Sequence, residues 1–171
     1  WLLIIGTGLI MARNVVRQSE VKQIRSSADR VYTVWVNHLN LGMFLRRALQ
    51  QIDQQTANPE KPEPAVLLAQ IDQTQKALCS DIGTLERLPT NDEQSALVYQ
   101  RMANHLRKRC DQPSPNTQLD RPADLLASLA ALQVQDQELK QVMNDYDHWL
   151  AAKAASLGVP LDELKPQLVE K

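Results

Sequence analysis

His38, Gln75 and Asp136 are polar residues on helical stripes that are otherwise apolar. An imidazole beside a carboxylate could hold or move a proton near neutral pH, because the carboxylate stabilises the imidazolium. His38 and Asp136 fall at similar depths if the helices that carry them are antiparallel, so we predict that their side chains face each other. The pair would act as a pH-responsive contact or, in the simpler interpretation, as a polar contact that sets the helix register.

Cys79 and Cys110 are the two cysteines of the chain. In a straight hairpin of the second and third helices, their depths differ by about 10 residues, or roughly 15 Å. A disulfide needs Cα atoms within about 7 Å, so it would require the second helix to break at 80–83 or the third to end before Arg107. The sequence therefore leaves a disulfide and two free thiols both open, and an oxidising compartment would favour the disulfide.

The other residues that could carry chemistry do not form a site. The three histidines are scattered at 38, 105 and 148, and the chain has no Cys-X-X-Cys, Glu-X-X-His, Gly-X-Ser-X-Gly or glycine-rich phosphate motif. The net charge of -1 gives no basic footprint for nucleic acid. We therefore predict a protein that is not an enzyme, with no catalytic residues, metal, cofactor, nucleic-acid partner or small-molecule substrate.

Composition and periodicity predict an all-α chain. Aromatic residues make up only 4% and glycines number 5, whereas strong helix formers such as Leu, Ala, Gln, Glu and Arg are abundant. Apolar residues recur at steps of three and four through four segments, at about 13–56, 64–88, 91–110 and 121–157. Four helices with short connections predict an up-down four-helix bundle over 13–157, followed by a tail at 158–171.

Prolines and capping residues predict the helix boundaries. Three prolines within 58–64 forbid a helix there, and Leu88-Pro89 ends the second helix. Thr90 and Glu93 have the spacing of a capping box. We therefore predict that Thr90 is the N-cap of the third helix.

The first twelve residues, Trp1 to Ala12, carry no charge, and Arg13 and Arg17 follow directly. A spanning helix needs about 20 apolar residues. Since the sequence does not begin with Met, we expect 1–12 to be part of a transmembrane anchor that begins upstream and continues into the first bundle helix. The alternatives are the buried first helix of a soluble bundle and a cleaved signal peptide.

The side of the membrane on which the bundle lies follows from two opposed signals. The basic flank after residue 12 would by itself place the bundle in the cytoplasm. The two cysteines instead favour an oxidising envelope compartment. We predict a single-pass membrane protein with a periplasmic bundle.

Val21, Ile24, Ala28 and Val31 continue the apolar stripe of the first helix toward the anchor. At about 1.5 Å per residue that helix is about 65 Å long past residue 13, whereas the second and third helices reach only about 30–40 Å. We therefore expect an open seam at these four residues, with a partly exposed Trp149 beside it, as a surface for a partner helix. The alternative is that the C-terminal part of the fourth helix covers the seam.

The sequence thus predicts a non-enzymatic, single-pass membrane subunit of a multi-protein envelope assembly. It would act through helix-mediated contacts with other membrane-complex subunits or with a second copy of itself. The alternative is an extracytoplasmic helical-bundle sensor that binds a ligand near His38, Asp136 and Trp35. A partner should rescue an assembly subunit from unfolding, whereas a ligand should raise the melting temperature of a sensor.

Overall fold

The computed structural model of the chain describes residues 2–57, 65–111 and 122–166, and their side chains over 13–54, 66–111 and 126–166. These residues form four α-helices and one short 3-10 helix: α1 (Leu2–Ala57), α2 (Ala65–Leu85), α3 (Glu93–Cys110), α4 (Pro122–Leu157) and the 3-10 helix Leu161–Glu163. No β-strand occurs within the described ranges, and the prediction of an all-α chain is confirmed. The predicted connection at 58–64 and the end of the tail at 167–171 lie outside these ranges.

The four helices pack in a square in which each helix contacts the next one along the chain and α4 returns to α1. Side-chain contacts show that α1 and α4 are antiparallel, because Arg17 lies against Gly158 and Gly42 lies against Leu132. Gly42 lets the two helices approach closely, since a Cβ at this position would lie 3.0 Å from Cδ2 of Leu132. The described helices therefore have the arrangement of an up-down four-helix bundle.

The cap of α3 differs from the predicted one. Asp92 is the N-cap: its Oδ1 accepts a hydrogen bond from the backbone N–H of Ser95 at 2.9 Å. The hydroxyl oxygen of Ser95 accepts in return from the backbone N–H of Asp92 at 3.3 Å. Ser95 thus takes the role that the pattern assigned to Glu93, and the prediction of Thr90 as the N-cap is wrong.

The connection between α2 and α3 runs along the bundle instead of turning back at once. Asn91, just before α3, accepts a hydrogen bond from Nε2 of Gln23 at 3.1 Å, which places the start of α3 beside the N-terminal half of α1. Asp81, near the end of α2, is hydrogen-bonded to Asn37 of α1. Gln23 and Asn37 are about 21 Å apart along the helix, so residues 86–92 carry the chain down the bundle before α3 begins.

This connection brings Cys79 and Cys110 together. Their sulfur atoms are bonded and their Cα atoms are 5.7 Å apart. The predicted depth difference assumed that α2 ends and α3 begins at the same level, and the path of 86–92 removes that difference. The prediction that a disulfide needs a broken or shortened helix is wrong, since α2 continues to Leu85 and α3 continues to Cys110.

The bundle core is closed where an open seam was predicted. Ile24, Ala28 and Val31 are completely buried in one hydrophobic cluster that includes residues of α3, α4 and the tail, and the half-buried Val21 packs against this cluster. The prediction of an open seam is therefore wrong at Ile24, Ala28 and Val31. These residues are covered because α3 begins closer to the N-terminal end of α1 than a simple hairpin allows. The tail also packs against this end of the bundle.

The tail leaves α4 through a turn at Gly158. The N–H of Gly158 donates to the carbonyl oxygen of Ala155, and the N–H of Val159 donates to that of Ala154, which is the pattern of a Schellman motif. The φ angle of Gly158 is 62°, a left-handed conformation that glycine adopts without steric cost. The turn directs Leu164 into the core, where it is completely buried.

The N-terminal end of α1 contains the segment that was predicted to be part of a transmembrane anchor. α1 is helical from Leu2, so the uncharged residues 2–12 belong to the same helix as the bundle residues that follow. Within residues 2–57, 65–111 and 122–166, no helix combines the length and the apolar character that crossing a bilayer requires. The predicted membrane helix is not supported by this part of the chain.

Candidate functional site: a polar layer in the bundle core

A layer of polar side chains crosses the bundle. His38 lies on the buried face of α1, and its Nε2 is 2.6 Å from Oδ1 of Asp136 on α4. The structure thus brings together the two residues that the depth count placed opposite each other. All four helices contribute to this polar layer, whose members are His38, Gln75, His105, Arg109, Asp136 and Glu138.

Burial keeps the imidazole of His38 neutral. Desolvation lowers the pKa of His38 below its ordinary value, and this effect outweighs the opposing influence of Asp136. The positive charge of Arg109 and the neighbouring His105 lower the pKa of His38 further. Since a carboxylate oxygen lies 2.6 Å from Nε2, we assign the proton of the neutral ring to Nε2, whose N–H donates a hydrogen bond to Oδ1 of Asp136.

Arg109 is a member of the polar layer that the sequence analysis missed. Its side chain is 1% exposed, and its Nη2 lies 3.5 Å from Oε1 of Gln75 on α2. Burial lowers the pKa of the guanidinium, yet an arginine stays protonated at neutral pH. The run 107–109 resembles the basic last turn of a helix, but Arg109 follows Leu106 by three residues and so falls on the buried face of α3.

His105 and Glu138 form the outer edge of the polar layer between α3 and α4. Nδ1 of His105 lies 3.2 Å from Oε2 of Glu138, whose side chain is half exposed. Burial lowers the pKa of His105, and the charge of Glu138 only partly offsets this effect. The layer therefore contains two imidazoles that are harder to protonate in the folded bundle than in the unfolded chain.

The geometry of the polar layer suits a structural contact that responds to protons. Buried hydrogen bonds among four helices set the register, because sliding one helix by a turn would separate partners inside the core. Protonating His38 would place a second positive charge near Arg109. Among the described residues, no group of three or more His, Cys, Asp or Glu side chains is arranged to hold a metal ion.

Trp149 forms part of a second, partly buried polar contact at the start of α3. Its side chain is 2% exposed, and its Nε1–H lies 3.0 Å from both carboxylate oxygens of Asp92. Lys153 pairs with the same carboxylate at 2.9 Å, and the ring of Tyr146 stacks on Trp149 with centroids 5.4 Å apart. The prediction of a partly exposed Trp149 that anchors a partner is wrong, because the indole is already held by Asp92.

The carboxylate of Asp92 is strongly favoured in its charged form. Partial burial would raise the pKa of Asp92, but hydrogen bonds from the Ser95 N–H, Trp149 and Lys153 outweigh it and lower the pKa to about 2. Asp92 thus caps α3, orients Trp149 and pairs with Lys153 at once. These contacts join α3 to α4 near the level of Gln23 on α1.

The predicted site residues therefore separate into two groups. His38 is in contact with Asp136 and Cys79 with Cys110, whereas Ile24, which was predicted to face a partner, is internal. The hydrophobic cluster extends through the bundle around both polar contacts. No protein-family profile, curated protein or solved structure matches the chain, so its function has to be argued from its own residues.

Proposed function

We propose that this chain is a non-enzymatic, single-pass membrane subunit of a multi-protein envelope assembly, with its helical bundle on the extracytoplasmic side. The bundle would stand on the membrane and bind other subunits, or a second copy of itself, through its outer helix faces. This proposal keeps the function inferred from the sequence but moves the partner surface away from the closed seam.

The observation that carries the proposal is the continuity of α1. One unbroken helix joins the uncharged segment 2–12 to the bundle, and Arg13 and Arg17 follow that segment directly. An apolar segment flanked by arginines is typical of a membrane boundary, because the cations stay with the lipid headgroups and water. The uncharged residues would supply a part of the about 20 residues that a spanning helix needs.

The disulfide supports an extracytoplasmic location for the bundle. Thiol-reducing systems keep cysteines reduced in the cytoplasm, whereas disulfides persist in the periplasm and outside the cell. The bond between Cys79 and Cys110 joins α2 to α3 without distorting either helix. A compartment that allows this bond to form is the one that the proposal requires.

The closed core leaves outer helix faces as the surfaces for partners. On α1, Leu39 and Met43 are 40% and 36% exposed one helical turn apart, with the half-buried Val36 next to them. On α4, Leu126 and Val134 are 57% and 66% exposed two turns apart. Apolar side chains that repeat along a helix face are typical of contacts with another helix. We propose that the α1 face at 36–43 is one such contact.

A second candidate is an extracytoplasmic sensor, and the polar layer is the observation that favours it. The buried imidazole of His38 and the buried guanidinium of Arg109 are groups whose energies change with protonation or with a bound anion. A ligand for such a sensor would raise the melting temperature of the purified protein in proportion to the logarithm of its concentration. A bundle that is insensitive to small molecules and gains stability only with a partner favours the assembly subunit.

Affinity purification of the tagged, full-length protein in a mild detergent tests the proposed function. We expect mass spectrometry to find a defined set of membrane proteins in constant ratio to the wild-type chain, and the double variant L39N/M43N to lose part of that set. The matched control is V66N/L97N, which replaces exposed apolar residues on α2 and α3. Wild-type protein that purifies alone as a monomer would contradict the proposal.

A further inference from the structure

A polar cleft lies between the N-terminal part of α1 and the turn that follows α4. Its volume is about 380 Å³, enough for a small ligand group. We refer to it as the juxtamembrane cleft. It is lined by Asn14, Arg17, Gln18, Val21, Lys22, Gly158, Val159, Pro160 and Glu163.

The charges of the juxtamembrane cleft suit an anion with a single negative charge. Arg17 and Lys22 contribute two positive charges from α1, and Glu163 contributes one negative charge from the tail. Nη2 of Arg17 donates to the carbonyl oxygen of Gly158 at 2.6 Å, which fixes the guanidinium against the turn. This bond uses one of the five N–H groups of an arginine, so the same side chain can also donate to a bound oxyanion.

The depth of the cleft along α1 matches the headgroup region of a bilayer. Counting about 1.5 Å per residue from Ala12, Asn14 and Arg17 lie roughly 3 and 8 Å beyond the uncharged segment. The polar headgroup region of a bilayer is about 5–8 Å thick on each side. Lys22 lies roughly 15 Å away, and helical side chains lean toward the N-terminus, so its ammonium group reaches back toward the headgroups.

We propose that the juxtamembrane cleft binds the phosphodiester headgroup of an anionic phospholipid that carries one negative charge. The inference rests on the proposed function, since it requires the apolar end of α1 to lie in a membrane. Arg17 and Lys22 hold the phosphate, the amides of Asn14 and Gln18 donate to its oxygens or to the glycerol, and Val21 and Val159 contact the carbons of the headgroup alcohol on the aqueous side of the phosphate. Glu163 disfavours a phosphate monoester, which carries close to two negative charges at neutral pH.

Equilibrium binding to the full-length protein in a neutral detergent tests the proposal. The probes are short-chain phosphatidylglycerol, short-chain phosphatidic acid and inorganic phosphate. We expect phosphatidylglycerol to bind at least tenfold more tightly than phosphatidic acid or inorganic phosphate, both of which carry more than one negative charge near neutral pH. Equal or tighter binding of inorganic phosphate would show a simple anion site and overturn the proposal.

Charge-matched variants separate a built site from a general basic surface. Each cation in direct contact with the phosphate contributes a charge-assisted hydrogen bond that is worth roughly tenfold in affinity, so R17Q/K22Q should weaken phosphatidylglycerol binding on the order of a hundredfold. R13Q/R25Q removes the same charge from exposed positions outside the cleft and should weaken binding much less. Equal losses in the two double variants would overturn the proposal.

Two single variants make the test independent of the turn at Gly158. K22Q leaves the Arg17–Gly158 bond in place and should weaken phosphatidylglycerol binding roughly tenfold. E163Q should bind phosphatidic acid several-fold more tightly and so lose the preference for the phosphodiester. A K22Q protein that binds like the wild type, or an unchanged preference in E163Q, would overturn the proposal.

Flotation with phosphatidylcholine vesicles distinguishes the failure of this inference from the failure of the proposed function. A wild-type protein that does not float with vesicles contradicts the membrane attachment itself. A wild-type protein that floats, but whose binding of phosphatidylglycerol is unaffected by R17Q/K22Q, contradicts the cleft alone.

Discussion

Removing the disulfide with the double variant C79A/C110A should lower the free energy of unfolding by about 4 kcal/mol. The bond spans a sequence separation of 31, for which the chain-entropy relation gives about 12 cal/mol/K, or about 3.7 kcal/mol at 25 °C. For a domain of this size, about 1 kcal/mol corresponds to a shift in Tm of about 2–4 °C. We therefore expect the Tm to fall by about 7–15 °C.

Thermal unfolding with and without reductant measures this effect. We expect reductant to lower the Tm of the wild type to that of C79A/C110A and to leave the Tm of the variant unchanged. The variant is its own control, since it lacks the groups on which the reductant acts. A wild type that is insensitive to reductant, and that reacts with two equivalents of a thiol reagent when folded, would refute the path assigned to residues 86–92.

Three further predictions concern the polar contacts. The variant D92A should lower the free energy of unfolding, measured with urea, by about 2–3 kcal/mol, because it removes the cap of α3 and leaves the indole N–H of Trp149 without its acceptor. A decrease of less than about 0.5 kcal/mol would contradict these contacts of Asp92. The pKa of His38 is lowered from 6.5 in the folded bundle, so the unfolded chain takes up the proton first as the pH falls. The free energy of unfolding should therefore be full above about pH 6.5 and should decrease below it. H38L should make this loss of stability at low pH smaller, and an identical pH dependence in wild type and H38L would contradict the lowered pKa of His38. In an NMR titration, R109M should raise the pKa of His38 because it removes the nearby cation, and D136N should lower it because it removes the carboxylate. Shifts of the same sign in the two variants would contradict the placement of Arg109 and Asp136 around His38.

The sequence was most informative where helices are continuous. A helix rises by a constant distance per residue, so counting from the shared end of α1 and α4 was enough to place His38 opposite Asp136. The apolar period of three and four predicted the helix ends to within a few residues, except for the start of α1. These are features that depend on local geometry and on one long antiparallel contact.

The sequence was least informative where irregular segments set the level of a helix. The path of residues 86–92 determines how far α3 slides along α2, and no periodic pattern records it. That slide joins Cys79 to Cys110 and covers Ile24 and its neighbours, so one error in the connection produced both a doubtful disulfide and a false open seam. Arg109 was missed for another reason, since its charge suggested a solvated helix end although its spacing placed it on the buried face.

The burial of Trp149 depends on a single contact that the helical pattern does not reveal. The residue lies at the flank of the α4 stripe, where a side chain is exposed unless a neighbouring element covers it. Asp92 covers it, because α3 begins at the level where Trp149 lies and offers a carboxylate to the indole N–H. The partner surface therefore has to be sought among residues that no described element covers, such as Leu39 and Met43.

Fractionation of cells that make the full-length protein, with alkylation of free thiols before lysis, tests the central claim most directly. A membrane-attached bundle in an oxidising compartment predicts that the protein sediments with membranes, resists extraction by high salt and alkaline carbonate, and shows reactive thiols only after reduction. A protein that leaves the membranes in high salt, or whose Cys79 and Cys110 are both alkylated without reductant, would contradict the claim.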